Sequence, residues 1–173
     1  YMKVLKFGGT SVGSVDSIRQ IQHIIGQQTD DCIVVVSALG GITDQLLKAA
    51  HLALEAGEEY MEVYQAIRCR HMDMVNTLIT NPTTRQMLCL ELEGILDELR
   101  SILFGVHLVK DLSDKTEAAI VSYGERMSSR IVTAALPGAV RKNSLQFIRT
   151  EHKQGQILLN TELTEQLIRQ AFS

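Results

Sequence analysis

The chain has 173 residues, 45% apolar and 21% charged, which suits one soluble globular domain with a proper core. A formal net charge of -3, no tryptophan and 5% aromatic residues argue against nucleic acid or an acidic membrane surface as partner. Three cysteines, Cys32, Cys69 and Cys89, lack the paired spacing of a disulfide framework, and Cys69 with His71 lacks the second pair a metal site needs.

The first predicted element is a short strand over residues 2–6, MKVLK. Its apolar run is too short for a secretory signal, and no later stretch approaches membrane-spanning length. No membrane partner and a cytoplasmic location are therefore expected. A helix is predicted from about Ser14, with Ile18, Ile21, Ile24 and Ile25 on one face. The β-branched run CIVVVSA, residues 32–38, predicts a strand buried on both faces, as in a parallel sheet. Strand, helix and strand in this order make a βαβ unit. Gly40-Gly41 then breaks the chain, and Thr43 suits the cap of a helix through about Ala56.

The middle third reads as two antiparallel helices. Tyr60, Tyr64, Ile67, Val75, Leu78 and Ile79 share one face of the first, which Asn81-Pro82 ends. Thr83 with Gln86 makes a capping box for the second, along which Leu88, Leu92, Ile95, Leu96, Leu99, Ile102 and Leu103 recur at three-four spacing. This pair suits a lid, a dimer face or plain core cover, and periodicity does not choose among them. Asp114 with Glu117 caps a further helix that Pro137-Gly138 stops. SLQFI, residues 144–148, predicts a third strand, and Leu163, Leu167, Ile168 and Ala171 mark a last helix. The fold class is α/β.

Three stretches have the composition of a site. In KFGGTSVG, residues 6–13, glycines follow a strand, so backbone N–H groups can approach an anion with no Cβ in the way. Lys6 adds a charge, Thr10 and Ser11 add hydroxyls, and the next helix aims its positive end at the same place. The lysine precedes the glycines, so this is no P-loop, and on its own the stretch is equally a plain turn. VVVSALGGITD, residues 34–44, repeats the arrangement, and the two loops would lie side by side at the C-terminal edge of a sheet. In SYGERMSSR, residues 122–130, Gly124 interrupts a helix at about 1 kcal/mol relative to alanine, a cost more readily met if something approaches the backbone there. Its neighbours Glu125 and Arg126 read equally well as a solvated surface pair.

KFGGTSV, VSALGGITDQLL and SYGERMS, in this order and separated by a long helical segment, resemble the aspartokinases of the amino acid kinase family. The likeness covers Met2 to about Leu136 and, more loosely, the remainder; MKVLKFGGTSVG and KDLSDKTEAAIVSYGERMSSRI are most similar to bifunctional aspartokinase–homoserine dehydrogenases. The resemblance implies a three-layer, parallel-sheet amino acid kinase-like fold, of which residues 1–173 would be the N-terminal, substrate-binding portion. It implies phosphorylation of the L-aspartate β-carboxylate by ATP with Mg²⁺, and NADP for the dehydrogenase part of a bifunctional parent. It also implies a homo-oligomer.

Carried onto this chain, the family pattern gives Lys6 the transferring phosphoryl group, with Gly8, Gly9, Thr10 and Ser11 lining its cradle. Ser37, Ala38 and Thr43 would contact aspartate, and Glu125, as a buried carboxylate, would pair with the α-ammonium. The family's GRGGSDYTA-like and KTDVDGVYTADPR-like segments do not occur here. The expectation is thus an N-terminal piece of a longer enzyme, inactive alone. The alternatives are another amino acid kinase with a different acceptor, or a non-catalytic ligand-binding half-domain.

Overall fold

Strands β1 (Lys3–Phe7) and β2 (Cys32–Val36) pair in parallel, in register from Lys3–Cys32 to Phe7–Val36, in a computed structural model that describes residues 2–172. Helix α1 (Val15–Gly26) connects them and completes the expected βαβ unit. Ser14 caps α1 as its sequence position suggests, its Oγ accepting from the Ser17 N–H at 3.1 Å. The pleat sends Phe7, Val34 and Val36 towards the core, while Val4 and Val35 stay 66% and 44% exposed on the other face. The expectation of a strand buried on both faces is corrected: within the described residues the helices cover one face of this two-stranded sheet.

Four helices build the rest of the unit that ends at Ala139: α2 (Ile42–Leu52), α3 (Glu59–Leu78), α4 (Pro82–Val109) and α5 (Asp114–Ala135). The predicted apolar faces of α3 and α4 are buried, with Ile102 half-buried, and His71, Met74 and Val106 join them. Three caps fall one or two residues earlier than the sequence suggested. Gly41, at φ 80°, rather than Thr43, opens α2, which ends at Leu52. Asn81 rather than Thr83 caps α4, accepting from the Thr84 N–H while Pro82, lacking an N–H, takes the first helical position. Ser113 rather than Asp114 caps α5, accepting from the Thr116 N–H.

Charged pairs tie α4 to its neighbours. Arg68 of α3 pairs with Glu93, while Arg130 and Arg126 of α5 meet Glu91 and Glu98 at 2.5 and 2.9 Å. Arg126 also stacks on the Tyr123 ring, 4.2 Å from its centroid. The suggested Glu125–Arg126 surface pair is replaced by this contact with Glu98, whose carboxyl the Arg126 hydrogen bond holds below the usual range.

The second unit, from Val140 onward, differs from the prediction of a strand over 144–148. A 3-10 turn occupies Ser144–Gln146, and the strands are β3 (Thr150–Lys153) and β4 (Gln156–Leu159), an antiparallel hairpin. Gln154 and Gly155 both take positive φ, 52° and 76°, the conformation that matches a two-residue turn to strand twist. Helix α6 (Thr161–Ala171) follows, capped by Asn160. Buried Thr164 accepts the Arg149 N–H at 3.0 Å, holding α6 to the residue just before the hairpin's first strand.

Candidate functional site

The two glycine loops meet directly beyond the C-terminal ends of β1 and β2. The first is a 3-10 turn, Gly9–Val12, whose Gly8 carbonyl accepts from the N–H groups of Ser11 and Val12. The second, Ser37–Gly41, begins where the Ser37 N–H continues the parallel ladder by donating to the Phe7 carbonyl at 3.1 Å. A Cβ on Gly40 would lie 3.0 Å from the Gly9 oxygen and 3.3 Å from the Gly13 Cα. One on Gly9 would lie 3.5 Å from the Ala38 oxygen. The glycine requirement thus falls on Gly40, since a Cβ on Gly9 would sit in ordinary van der Waals contact. At Gly8 nothing lies within 4 Å of the Cβ position, so that side of the turn faces open space.

Helix α5 lies against the second loop through Gly124. A Cβ there would meet the Ala38 methyl at 2.6 Å and Leu46 at 3.3 Å, so the approach inferred for this glycine is made by Ala38 and helix α2. One turn on, buried Ser128 donates its hydroxyl to the Ser37 carbonyl at 2.6 Å. Ser37 is thus held at both backbone ends, by β1 and by α5. From α3, Arg70 donates to the Gly13 carbonyl at 3.0 Å, and its other terminal nitrogen lies 4.0 Å from the Gly41 Cβ position. Sequence reasoning missed both residues in these roles. Ser128 was detectable as the position four after Gly124, on the same helix face. Arg70 carries no such signal, since an arginine on a helix ordinarily reads as solvated.

Ser37, Ala38, Gly8 and Gly9 come together, with Ala38 buried and the others half-buried. Thr10 is exposed and Ser11 half-buried on the turn, and Thr43 is half-buried in the first turn of α2. Lys6 stands exposed on the uncovered face of β1, without an ion pair or hydrogen bond among the described residues. Glu125 departs from expectation, being exposed rather than buried. Gly124 and Ser128 face the loop, and the helix phase turns Glu125 from that seam to its solvent rim. Its carboxylate has no partner among the described residues.

This turn offers an anion its backbone and the hydroxyls of Thr10 and Ser11, with exposed Lys6 on the strand that leads into it. No three His, Cys, Asp or Glu side chains gather as a metal cage among the described residues. No helix among them is long and apolar enough to cross a membrane.

The family model described as "Amino acid kinase family" matches residues 2–172. Aspartokinase 2, chloroplastic, from Arabidopsis thaliana is 32% identical over 137 residues, covering 77% of this chain and 24% of that protein. The bifunctional aspartokinase/homoserine dehydrogenase of Buchnera aphidicola is 30% identical over 141 residues, covering 78% of this chain and 17% of that protein. Escherichia coli aspartokinase III, solved with lysine and aspartate, superposes with a TM-score of 0.84 at 26% identity, over 98% of this chain and 37% of that one. Its complex with aspartate and ADP gives the same TM-score at 24% identity. The chain therefore spans about a quarter or less of the curated relatives named here, and it has the amino acid kinase-like α/β fold expected from its sequence.

Proposed function

The chain belongs to the amino acid kinase family, and from that premise we propose that it is the N-terminal, acceptor-binding portion of an aspartokinase catalytic domain. The reaction is transfer of the γ-phosphoryl group of ATP to the β-carboxylate of L-aspartate, giving 4-phospho-L-aspartate. The observation that carries this reading is the clasp of the two glycine loops at the C-terminal edge of a parallel strand pair, where open α/β sheets bind ligands. The names of its relatives, and the aspartate in both aspartokinase III complexes, support the choice of acceptor.

A carboxylate nucleophile is already ionised at neutral pH, so the site needs no general base. What it needs is alignment of the reacting groups and positive charge about the phosphoryl oxygens. The open side of Gly8 leaves room for a phosphate against the turn. Gly8 and Gly9 present backbone there, with the hydroxyls of Thr10 and Ser11, and Lys6 supplies charge. Ser37, Ala38 and Thr43 orient the acceptor, and the Glu125 carboxylate takes its α-ammonium. ATP, when bound, supplies the phosphoryl group.

The described residues hold no carboxylate cluster for Mg²⁺, so the ion would arrive on the nucleotide's phosphates. NADP would serve only the dehydrogenase part of a bifunctional parent. Assembly as a homo-oligomer in the cytoplasm, without nucleic acid or membrane, completes the proposal.

Hydroxylamine trapping of the acyl phosphate, with ATP, Mg²⁺ and L-aspartate, tests it on this chain and on a longer protein containing it. Product from the longer protein and none from the chain is expected. No product from the longer protein with aspartate, but product with another acceptor, would overturn the substrate.

A further inference from the structure

Of the four arginines on α3 and α5, three end on a glutamate of α4. Arg68 pairs with Glu93, Arg126 with Glu98 and Arg130 with Glu91. Arg70 is half-buried yet forms no ion pair among the described residues, and Asp73, one turn on, is exposed and apart from it. A half-buried charge without a counter-ion costs free energy that its three paired neighbours recover. Arg70 ends instead on main chain. Its Nη2 donates to the Gly13 carbonyl at 3.0 Å, and its Nη1 lies 4.0 Å from the Gly41 Cβ position.

Gly13 and Gly41 are the last residues of the two glycine loops. Gly13 closes the first turn, and Gly41 opens α2, the helix that carries Thr43. Gly40 is wedged between them, its Cβ position 3.3 Å from the Gly13 Cα. The guanidinium therefore lies across the seam where the loops meet. Its base is fixed, because Ile67, His71 and Met74, on the adjoining turns of α3, are all buried. A planar guanidinium holds its two terminal nitrogens at a set separation, so anchoring one at Gly13 determines where the other stands against Gly41. We propose that Arg70 is a positioning residue for phosphoryl transfer, setting the distance between the turn that cradles the phosphoryl group and the loop and helix that hold the acceptor.

This role rests on the phosphoryl-transfer reading of the site, and it gives α3 a part in the chemistry beyond its share of the core. Transfer needs the acceptor oxygen close to phosphorus and in line with it, and a misplacement of about 1 Å costs about a hundredfold. Arg70 acts on that alignment only through the backbone at Gly13 and Gly41. When the gap opens, water takes the place of the acceptor. The water oxygen then forms the new P–O bond, the bond to ADP breaks, and the water proton passes to solvent, leaving ADP and inorganic phosphate. Lost positioning is thus read as a lower kcat and as ATP consumed without acyl phosphate. A merely structural role lowers the amount of folded enzyme and leaves that ratio unchanged.

Amide chemical shifts of the 173-residue chain test the bridge without the reaction, with circular dichroism as a check on folding. Arg70→Met is expected to move the amides of residues 9–14 and of residues 37–43, with little change elsewhere except beside position 70. Shifts confined to the first loop would overturn the proposal. In a longer protein containing the chain, Arg70→Met should lower kcat by about tenfold or more while the KM values for aspartate and ATP change by no more than about threefold. The ratio of inorganic phosphate to trapped acyl phosphate should rise. Arg70→Lys, which keeps a donor for the Gly13 carbonyl, should recover part of kcat. A native kcat and ratio in Arg70→Met, a loss confined to KM, or a lysine variant no better than the methionine one would each overturn the proposal. A native longer protein that forms no acyl phosphate on aspartate counts against the phosphoryl-transfer reading instead, and the amide shifts then decide whether Arg70 bridges the loops.

Discussion

Gly124 and Ala38 are packed so closely that a single methyl group on the glycine would come within 2.6 Å of the alanine's own. Alanine in mid-helix is ordinarily worth about 1 kcal/mol over glycine, so Gly124→Ala sets helix propensity against overpacking. Overpacking costs about 1–3 kcal/mol and prevails here, because the methyl also meets Leu46 at 3.3 Å. Urea denaturation should show net destabilisation of Gly124→Ala. Adding Ala38→Gly, which removes the opposing methyl, should recover part of the loss.

Ser128→Ala removes the hydroxyl that donates to the Ser37 carbonyl at 2.6 Å. Losing this part-buried hydrogen bond should cost about 0.5–1.5 kcal/mol. The loss should appear both in denaturation and as faster amide exchange along residues 37–41. Ser128→Thr, which keeps the hydroxyl, should protect the loop better than alanine does.

Lys6 separates stability from chemistry. It is exposed and unpaired, so Lys6→Met should change stability by no more than about 0.5 kcal/mol. In a longer active protein the same change should lower kcat by about 10²–10³, the loss expected when charge stabilising a transition state is removed. Equal activity of the two proteins would remove Lys6 from the site.

His71 is fully buried in α3, with Nδ1 2.7 Å from the Ile67 carbonyl and no partner for Nε2 among the described residues. Nδ1, as the protonated nitrogen, donates to that carbonyl. Burial holds its pKa below the ordinary histidine value; the bond to Ile67 opposes this, and the nearby Arg70 charge adds to it. On acidification the unfolded chain takes up this proton first, so the histidine's contribution is complete above about pH 6.5 and is lost as pH falls towards the lower folded value. Stability should fall by up to about 1.4 kcal/mol per pH unit in that window. His71→Leu should flatten the slope there, which denaturation at a series of pH values would read directly.

Arg70 links the helical segment to the first loop through the Gly13 carbonyl. Arg70→Met keeps most of the side chain's apolar stem but removes that donor. Amide exchange over residues 9–13 should accelerate while that of α3 stays near native, because only the tether has been cut.

The elements that sequence made legible are those where local chemistry and burial agree. Ser14 caps α1 because its hydroxyl precedes an apolar-periodic run, and the leucines of α4 form the core because their spacing matches the helix. The misread strand at 144–148 has the apolar composition of a strand but no pairing partner among the described residues. The actual strands include the polar TEHK, whose place is set by the Gln154-Gly155 turn, a signal present in the sequence. In the candidate site, the meeting of two glycine loops was readable because the βαβ connection dictates it. The exposure of Glu125 was not, since one step around a helix decides between seam and rim. Arg70 lay beyond reach because its contact joins residues 57 apart in the chain.

The fit of Gly40 against Gly9 and Gly13 also governs how such a site can be inherited. The two loops arise from separate parts of the sequence, yet the second has little slack to accept a side chain at Gly40 while the first stays still. Drift at one position is therefore felt at the other. A relative bearing a side chain where this protein has Gly40 is expected to carry a displaced turn where this one has Gly9, so the two loops diverge as a pair or not at all.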